Sequence, residues 1–590
     1  MSFMEPGDPN KRLRFFTAVI AVLGLIFAGR LVQIQIFQAG DINKVSLASR
    51  EVTQVVPAIR GQIQDSTGKS LAKTVLKYDI NVAPVNVKPV TKKINGVVTT
   101  IPVEQIAAQM AGIMGMTPEE VMAKIIGTGQ YSNVKRGVNT DVYAQLKKLD
   151  IPWVYYDAVP SRTYPSGALA GSLIGFLTTD GKPMGGIESE MNSCLAGVDG
   201  KESYEKGEDG IKIPSSVVTT TKAVNGKNVK LTINADLQYF SQQVLTSNWA
   251  RLKADWATAI VIEVKTGRIL VAAEAPTMDP NAPGKSTEEA RHARVFESQF
   301  EPGSVIKAIT AASLIETGKA TPESRVIAPF GWTIPKSDGY RVTDSHTHGN
   351  DKLTLTGVLR DSSNTGIMKL GQAVPVATRF DILTKFGMGK KTAINFPGES
   401  SGIVPPLDKW DNIKKYVSMF GQGFSVTPIQ SAMMYQAIAN NGVRLEPRLV
   451  EGCDDGKGNF VATPKQAGVQ VVSASTARTT LDMLEKVVEE GGIGRHAGVP
   501  GYRVAGKTGT AQITDPATGR YGYLHAISFI GMAPADNPQY VVAVTAFKSR
   551  TVSNSMGATP IFKAIMQQVL RTYRVPPSTT KSANIATEWK

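Results

Sequence analysis

The segment Glu301–Lys307 constrains this chain most, because it predicts where a helix begins and which two side chains that helix holds together. Pro302 and Gly303 are turn residues, and the apolar residues after Ser304 recur at helical spacing. Ser304 and Lys307 therefore share one helix face. A lysine amine held partly out of water binds its proton less tightly and can accept the proton of a nearby serine. The segment predicts a nucleophilic serine that needs no histidine.

Two further polar motifs follow Ser304 and make this interpretation specific. The spacing Ser-x-x-Lys occurs at five other places, so the pair by itself indicates little. Downstream of Ser304, however, stand Ser362-Ser363-Asn364 and then Lys507-Thr508-Gly509-Thr510. A second Lys-Thr-Gly, at Lys265, lies between two apolar runs and predicts a hairpin turn. The order Ser-x-x-Lys, Ser-x-Asn, Lys-Thr-Gly is the signature of serine enzymes that recognise penicillin.

The composition fits a folded protein of more than one domain. The chain has 590 residues, of which 42% are hydrophobic and 19% are charged, so a largely disordered chain is excluded. The net charge of +15 is spread along the sequence without a Lys/Arg run, and we therefore expect no nucleic-acid partner. The charge favours a basic solvated surface. Attraction to anionic lipids and acidic wall polymers is the alternative interpretation.

The cysteine and histidine residues predict no metal site. Cys194 and Cys453 lie far apart in sequence, and whether they form a disulfide bond stays open. Neither has a cysteine or histidine partner at metal-ligand spacing. His346 and His348 are the only closely spaced histidines, and without a third ligand nearby a solvated loop is favoured over a metal site. We expect no metal and no cofactor.

An apolar segment near the N-terminus predicts a membrane anchor. Residues 15–29 carry no charge, and the apolar character continues after Arg30 to Phe37, which gives a span of 23 residues. The uncharged part alone matches the core of a signal peptide, but no small-x-small cleavage site follows it in good position. Basic residues before the span place residues 1–14 in the cytoplasm and the chain after residue 38 outside. These basic residues are Lys11, Arg12 and Arg14.

Beyond the anchor the sequence changes character near residue 230. Residues 38–230 mix short alternating strands with helical stretches and contain no catalytic constellation. In this region, Thr117 before Pro118, with Glu120 following, predicts a helix start. Over residues 231–574, strands, then helices, then strands again predict an α+β fold in which helices cover a sheet. The Pro-, Ser- and Thr-containing residues 575–590 predict a flexible tail.

With these residues in place, the sequence resembles the class B penicillin-binding proteins, which are monofunctional peptidoglycan D,D-transpeptidases, and within them the division-type enzymes. The resemblance departs from the usual family residues at Asn234 and Val305. It implies an elongated, non-catalytic pedestal domain (38–230) before a transpeptidase domain (231–574) with an antiparallel sheet and a serine β-lactamase-like fold. Besides the three motifs, it rests on Arg60–Asp65 with Gly68, Leu71 and Ala72; Arg162–Pro165 with Gly175; Gly186–Glu188; Leu195–Gly197; and Gly421–Gly423 with Thr427, Pro428 and Gln430.

The resemblance implies a role for each catalytic residue. Ser304 would attack the penultimate carbonyl of a stem peptide that ends in D-Ala-D-Ala, with Lys307 as the base. Ser362 would relay a proton to the departing D-Ala, and Asn364 would orient Lys307 and the substrate amide. Lys507 would add positive potential. An amine from a neighbouring stem would then resolve the acyl-enzyme and form the cross-link.

By the same resemblance, the residues after Lys507 would bind the substrate. The segment consists of Thr508, Gly509 and Thr510, and its two threonine hydroxyls would hold the terminal carboxylate. The backbone N–H groups of Ser304 and Thr510 would form the oxyanion hole, where the loss of one donor typically costs about 100- to 1,000-fold in rate.

The resemblance also implies partners and a location. The expected partners are peptidoglycan stem peptides, lipid-linked nascent glycan, β-lactams, a SEDS-type glycan polymerase and membrane proteins of the divisome. The expected location is the bacterial cell membrane, crossed once, with the catalytic domain outside the cytoplasm.

Other classes of protein are weighed against this interpretation. An elongation-type transpeptidase carries the same motifs and stays open. A scaffold that only binds β-lactams should have decayed motifs, whereas these are intact. A class A β-lactamase is disfavoured because no glutamate after Asn364 has an asparagine four residues on. A bifunctional wall synthase is disfavoured because no histidine precedes His292.

Overall fold

The structure is a computed structural model that describes residues 9–94, 96–205, 213, 216–457, 459–464, 466–514 and 521–590. The chain divides into two units. The smaller unit consists of residues up to 59 together with 197–226, and the larger unit consists of residues 60–196 together with 227–590. Residues 1–8 of the predicted cytoplasmic tail lie outside the described residues.

The smaller unit begins with a long apolar helix. The helix runs from Pro9 to Val32 and continues as a π-helical turn to Phe37, 29 residues in all, and its most apolar 18-residue window has a mean hydropathy of 2.3. At 1.5 Å per residue it is about 43 Å long, which exceeds the roughly 30 Å hydrocarbon core of a bilayer. Its length and composition fit a membrane anchor. The helix Ala39–Arg50 then leads into an antiparallel sheet of Glu51–Val56, Gly200–Glu205 and Val218–Thr221.

Residues 60–196 of the larger unit form most of the predicted pedestal. The long strand Ser70–Val82 pairs with Ser132–Val138 and with Val154–Thr163. The helix predicted at Pro118 begins there, because Thr117 and Glu120 exchange the two hydrogen bonds of a capping box. This prediction is confirmed. The helices are Val103–Met114, Pro118–Ile125, Thr140–Lys148, Gly171–Ile174, Gly186–Glu190 and Asn192–Leu195, and the other strands are Ile63–Gln64, Val90–Ile94, Val97–Ile101, Phe176–Leu177 and Pro183–Met184.

The catalytic part of the larger unit is built on an antiparallel sheet of five strands. Hydrogen-bonded neighbours follow the order Ile269–Ala275, Trp256–Glu263, Tyr540–Ser549, Tyr521–Ala533 and Ala505–Thr514. The first two strands form the hairpin that the sequence predicts around Lys265, so this prediction is confirmed. The first two of these strands are buried along nearly their whole length, since helices cover the sheet. Two helix pairs pack with it: Ala235–Leu252 with Thr559–Thr572, and Pro428–Ala439 with Ala474–Val488.

Between the second and third of these strands in sequence, the chain forms the helices and small sheets that carry Ser304 and Ser362. The helices there are Glu288–Arg291, Arg294–Glu297, Lys307–Glu316, Leu355–Arg360, Asn364–Gly371, Val376–Lys385 and Asn412–Val417. The paired strands there are Arg325–Pro329 with Asn350–Thr354, Gly331–Thr333 with Arg341–Thr343, and Val443–Arg444 with Val469–Gln470.

A seven-stranded sheet, which includes the long strand Ser70–Val82, joins the two predicted domains of the larger unit. Strand Val229–Leu231 pairs in parallel with Ile63–Gln64 and antiparallel with Val450–Asp454. The boundary predicted at residue 230 therefore falls inside a strand. Cys194 and Cys453 form a disulfide bond between the same two parts of the chain, a pairing that the sequence left open.

Residues 575–590, which the sequence predicts to be a flexible tail, are instead hydrogen-bonded to the folded domain. The Trp589 N–H donates to the carbonyl of Lys352 at 3.1 Å, and the carbonyl of Thr587 accepts from the Thr354 N–H at 3.0 Å. The composition of the tail is typical of disorder, but an unpaired strand edge elsewhere in the fold offers it backbone partners.

Candidate active site

Ser304 lies at the start of the predicted helix, in a tighter turn than the sequence suggests. Residues Gly303–Ile306 form a 3₁₀ turn, and the α-helix begins at Lys307 and ends at Glu316. Ser304 is partly exposed, whereas its neighbour Val305 is fully buried. The turn thus presents one hydroxyl to solvent from the end of a buried helix.

The backbone around Gly303 fixes this turn in place. Gly303 has a φ of +60°, and a Cβ atom there would lie 2.9 Å from the carbonyl oxygen of Thr510. Its N–H donates to the carbonyl of Gly421 at 3.0 Å. Glycine is needed here because a side chain would strain the backbone and collide with the Thr510 strand. The serine turn is therefore held between two other motif segments.

Lys307 is completely buried and bonded to the second motif. Its Nζ donates to Asn364 Oδ1 at 2.7 Å, to Ser362 Oγ at 3.3 Å and to the Ser362 backbone carbonyl. Burial lowers the pKa of the Lys307 amine to about 7, against the opposing charge of Asp344. At neutral pH a large fraction of this amine is therefore unprotonated and able to accept a proton.

Ser362 accepts hydrogen bonds from two buried lysines. Lys507 Nζ donates to its hydroxyl at 2.9 Å, and Lys307 Nζ donates to the same hydroxyl at 3.3 Å. The left-handed backbone of Ser362, with a φ of +62°, turns the hydroxyl toward both amines. Burial, and then the neighbouring charge of Lys307, lower the pKa of Lys507 well below its ordinary value. The hydroxyl links two amines whose pKa values are both lowered.

The third motif occupies the edge strand Ala505–Thr514, directly beside the serine turn. A Cβ atom on Gly509 would lie 2.1 Å from Ser528 Oγ and 3.2 Å from the carbonyl of Pro302, so glycine permits the close approach. The Thr508 hydroxyl is buried and accepts from Lys507 Nζ at 3.0 Å. Thr510 is partly exposed. The two predicted carboxylate-binding hydroxyls therefore lie in different environments.

All the predicted site residues belong to one cluster, in which Ser304 and Lys307 are not hydrogen-bonded to each other. Within the part of the chain that the structure describes, the Ser304 side chain makes no hydrogen bond, so its hydroxyl is not bonded to Lys307. Hydrogen bonds of this kind commonly shorten when the substrate is bound. The two residues remain neighbours on consecutive turns.

Sequence reasoning missed Asp344, which holds the second motif. Asp344 is buried and accepts from Ser363 Oγ at 2.6 Å, from the Thr365 N–H at 3.1 Å and from the Asn364 N–H. These N–H groups begin the helix Asn364–Gly371, where a negative charge is favourable. Asp344 thereby fixes the turn that contains Ser362 and Asn364. Because Asp344 is separated from the motif in sequence, no local pattern predicts this contact.

The predicted solvated histidine loop is partly wrong. His346 is exposed, but the His348 side chain is only 11% exposed and lies 3.0 Å from carboxylate oxygens of both Asp344 and Asp351. Among the described residues, no group of three or more His, Cys, Asp or Glu side chains is placed to hold a metal ion. His348 therefore supports Asp344 and, through it, the second motif.

Glu301 joins the serine turn to two neighbouring segments. Its carboxylate accepts from the Gly423 N–H at 2.8 Å and from the Tyr521 hydroxyl at 3.1 Å. Burial raises the pKa of Glu301. Gly423 belongs to a glycine motif seen in the sequence, and this contact, with the bond from Gly303 to Gly421, explains why that motif lies next to the nucleophile.

Comparison with known proteins identifies the family and the fold. Residues 257–567 match the family described as "Penicillin binding protein transpeptidase domain", and residues 55–231 match the "Penicillin-binding Protein dimerisation domain". The chain is 34% identical to penicillin-binding protein PbpB of Mycobacterium tuberculosis, over 96% of this chain and 86% of the relative. It is 31% identical to peptidoglycan D,D-transpeptidase FtsI of Escherichia coli, over 94% and 91% of the two chains.

Solved structures agree with these sequence relationships. A peptidoglycan synthetase from Bifidobacterium adolescentis is 30% identical, with a TM-score of 0.71 over 92% of this chain and 100% of that chain. Penicillin-binding protein 3 from Mycobacterium tuberculosis, complexed with aztreonam, is 29% identical, with a TM-score of 0.69 over 91% and 100%. The chain therefore belongs to the penicillin-binding proteins, which are serine-type peptidoglycan transpeptidases. Within that family it is a class B protein of the division type, with a pedestal and a transpeptidase domain.

Proposed function

We propose that this protein cross-links peptidoglycan stem peptides through an acyl-enzyme on Ser304, in septal cell-wall synthesis. The observation that carries the proposal is the position of Lys307. It is buried one turn after Ser304, has a pKa of about 7 and is bonded to Ser362 and Asn364. A neutral amine beside a partly exposed serine is the arrangement that a serine nucleophile without histidine requires.

In the acylation step, Lys307 takes the Ser304 proton as the hydroxyl oxygen attacks the penultimate carbonyl of the stem peptide. Asn364 Oδ1 accepts from Lys307 at 2.7 Å and so fixes the amine in its position. The N–H groups of Ser304 and Thr510 receive the developing oxyanion. The close approach of Gly303 to the Thr510 carbonyl supports this pairing, because it holds the two backbone segments side by side.

The proton then passes from Lys307 to the departing D-Ala amine through the Ser362 hydroxyl. That hydroxyl lies 3.3 Å from Lys307 Nζ and 2.9 Å from Lys507 Nζ, so it is bonded to a donor on either side. Lys507 supplies positive potential, and Thr510, whose side chain is partly exposed, holds the terminal carboxylate. Thr508 contributes mainly by its bond to Lys507. An amine from a neighbouring stem completes the transfer.

The protein works at the outer face of a bacterial membrane in this proposal. The apolar helix anchors it, and Lys11, Arg12 and Arg14 at the start of that helix favour a cytoplasmic N-terminus. The two matched ranges, 55–231 and 257–567, support a pedestal and a transpeptidase domain that meet near residue 230. A SEDS-type glycan polymerase and other divisome proteins are the proposed membrane partners, and lipid-linked nascent glycan is a further proposed partner. If the full-length protein is pulled down from membranes and no polymerase is recovered with it, that result would count against this partnership.

The intact mass of the full chain after incubation with benzylpenicillin tests the proposed chemistry. We expect one stable penicilloyl adduct on the wild type and none on Ser304→Ala, because only Ser304 carries the nucleophilic oxygen. Ser313→Ala is the matched control, since this serine lies on the same helix but is buried. An adduct on Ser304→Ala would refute the assignment. Hydrolysed drug without an adduct would indicate a β-lactamase.

A further inference from the structure

The last residues of the chain form a strap over the elements that carry the second motif. We call residues 575–590 the strap. Near its start, Ser578 is fixed on the side of the central sheet: its N–H donates to the Gly501 carbonyl at 3.0 Å, and its hydroxyl donates to Asp536 Oδ1 at 2.8 Å and accepts from the Arg503 N–H at 3.0 Å. Arg503 lies two residues before the strand of Lys507.

The far end of the strap runs along the edge of the strand Asn350–Thr354. The Trp589 N–H donates to the Lys352 carbonyl at 3.1 Å, and the Thr354 N–H donates to the Thr587 carbonyl at 3.0 Å. The Trp589 indole donates to the Leu353 carbonyl at 3.1 Å. The strap thus adds an antiparallel segment to an otherwise open strand edge. Cationic side chains lie over the Trp589 indole ring: Arg325 is 5.5 Å and Lys352 is 5.2 Å from the ring centroid.

The strap also contacts the whole length of the helix Leu355–Arg360, which ends two residues before Ser362. At its start, the helix-capping hydroxyl of Thr354 donates to the Ala586 carbonyl at 2.7 Å. In the middle, a Cβ atom on Gly357 would lie 1.9 Å from the Thr587 carbonyl, so the strap backbone lies directly on the helix.

At the end of this helix, one guanidinium connects the strap to the catalytic turn. Arg360 donates to Thr587 Oγ1 at 2.6 Å and forms an ion pair with Glu588 at 2.6 Å. The same guanidinium binds Asp361 at 2.7 Å, the residue immediately before Ser362. The backbone of Ser362 is left-handed, and that conformation persists only where the surroundings hold it.

From these contacts we propose that the strap, anchored by Trp589, positions the Ser362–Asn364 turn for the acylation of Ser304. Trp589 is a positioning residue: it contacts the strand before the helix. Its neighbours Thr587 and Glu588 contact the helix, whose end sets where Ser362 and Asn364 meet Lys307. The inference rests on the proposed function, because it concerns the rate of the same acylation step. Displacement of a catalytic group by about 1 Å can cost about 100-fold in rate, so a loosened turn is expected to be measurable.

The test compares tryptophan variants of the full-length protein in acylation by benzylpenicillin. For Trp589→Ala we expect the first-order acylation constant to fall about tenfold while the half-saturating drug concentration changes little, because the turn and not the binding surface is displaced. Trp589→Phe should restore most of the rate, since it keeps the aromatic ring. Trp249→Ala is the matched control: this tryptophan is also partly buried, on the helix Ala235–Leu252, and among the described residues it forms no hydrogen bond or ring contact with the strap or the second motif.

The outcomes separate the strap from the proposed function. Equal acylation of Trp589→Ala and wild type would overturn the inference, as would equal rate losses in Trp589→Ala and Trp249→Ala at matched melting temperatures. An unacylated wild type would instead refute the proposed function. If Trp589→Ala fails to fold, Glu588→Gln removes only the ion pair with Arg360, and a rate within error of wild type would then overturn the inference. Faster amide exchange at residues 355–364 in the variant would support it.

Discussion

The tripeptide Lys-Thr-Gly occurs twice in this chain, and the two copies lie in opposite environments. Lys265 is exposed at the turn of a hairpin, where its amine donates to Asn440 Oδ1 at 3.2 Å. Lys507 is completely buried in an edge strand, where its amine donates to Ser362 Oγ at 2.9 Å and to Thr508 Oγ1 at 3.0 Å. The same three residues thus serve as a surface turn in one place and as part of the catalytic cluster in the other.

The difference shows that chemistry at these residues comes from what surrounds them. Burial and the charge of Lys307 lower the pKa of Lys507, and both effects require the strand to lie against the serine turn. The glycines also differ in purpose. Gly267 adopts a φ of +69° in its turn and lies close to the Glu446 backbone, 2.6 Å from a Cβ atom placed there, whereas Gly509 lets the strand approach Pro302 and Ser528. An isolated motif match therefore carries little information until its neighbours are known.

The largest expected effect contrasts the two lysines. Lys507→Ala should lower the rate of acylation by penicillin about 100- to 1,000-fold, because a preorganised positive group is lost beside the reacting atoms. Lys265→Ala should leave that rate unchanged, since this amine is exposed and donates to Asn440, which lies outside the three motifs. Stopped-flow or quenched mass-spectrometric acylation measurements would check both variants. Equal acylation rates in Lys507→Ala and Lys265→Ala would contradict the difference between the two segments.

The glycines of the two Lys-Thr-Gly segments, Gly509 and Gly267, should show a smaller difference in acylation rate. Gly509→Ala must displace Ser528 Oγ and press on Val305, the residue next to the nucleophile, so we expect about a tenfold loss of acylation rate. Gly267→Ala should cost about 1–3 kcal/mol of stability, because alanine is strained at this φ, without slowing acylation per folded molecule. Melting temperature and acylation rate should be measured for each variant. A slow Gly267→Ala enzyme at full folding would contradict this assignment.

The pH dependence of acylation tests the lowered pKa of the buried Lys307, with the exposed Lys265 as the control. The base must be unprotonated, so the rate should fall about tenfold per pH unit below the Lys307 pKa of about 7 and level off above it. Because Lys307 and Lys507 share the Ser362 hydroxyl, the midpoint belongs to the pair. Lys265→Ala should show the same profile as wild type. A midpoint near the ordinary lysine value would contradict the lowered pKa of Lys307.

The smallest effect on catalysis is expected from the disulfide bond. Cys194→Ser with Cys453→Ser opens a link across 259 residues and should lower stability by about 2–5 kcal/mol. Acylation at a permissive temperature should change by less than about twofold, since neither cysteine contacts either Lys-Thr-Gly segment. Thermal unfolding with and without a reductant would check this. A reductant effect that persists in the double variant would contradict it.

Much of the site could be predicted because catalytic motifs are short and local. The helix start at Ser304 follows from turn residues and helical spacing, and the hairpin at Lys265 follows from two apolar runs around a glycine turn. Asp344 could not be predicted, because its bonds to Ser363 and Asn364 depend on a loop that returns from another small sheet. The disulfide partner of Cys194 could not be predicted for the same reason. Contacts between distant segments leave no periodic signal in the sequence.

The sequence by itself determined the apolar helix, the capping box at Thr117 and the order of the three motifs, since each depends on neighbouring residues. Only the tertiary structure decided that Lys307 and Lys507 are buried around one hydroxyl, that a strand crosses the predicted boundary at residue 230, and that residues 575–590 are bound rather than flexible. The physical reason is common to all three. Burial, a lowered pKa and the pairing of a strand edge are properties of what a residue meets in space.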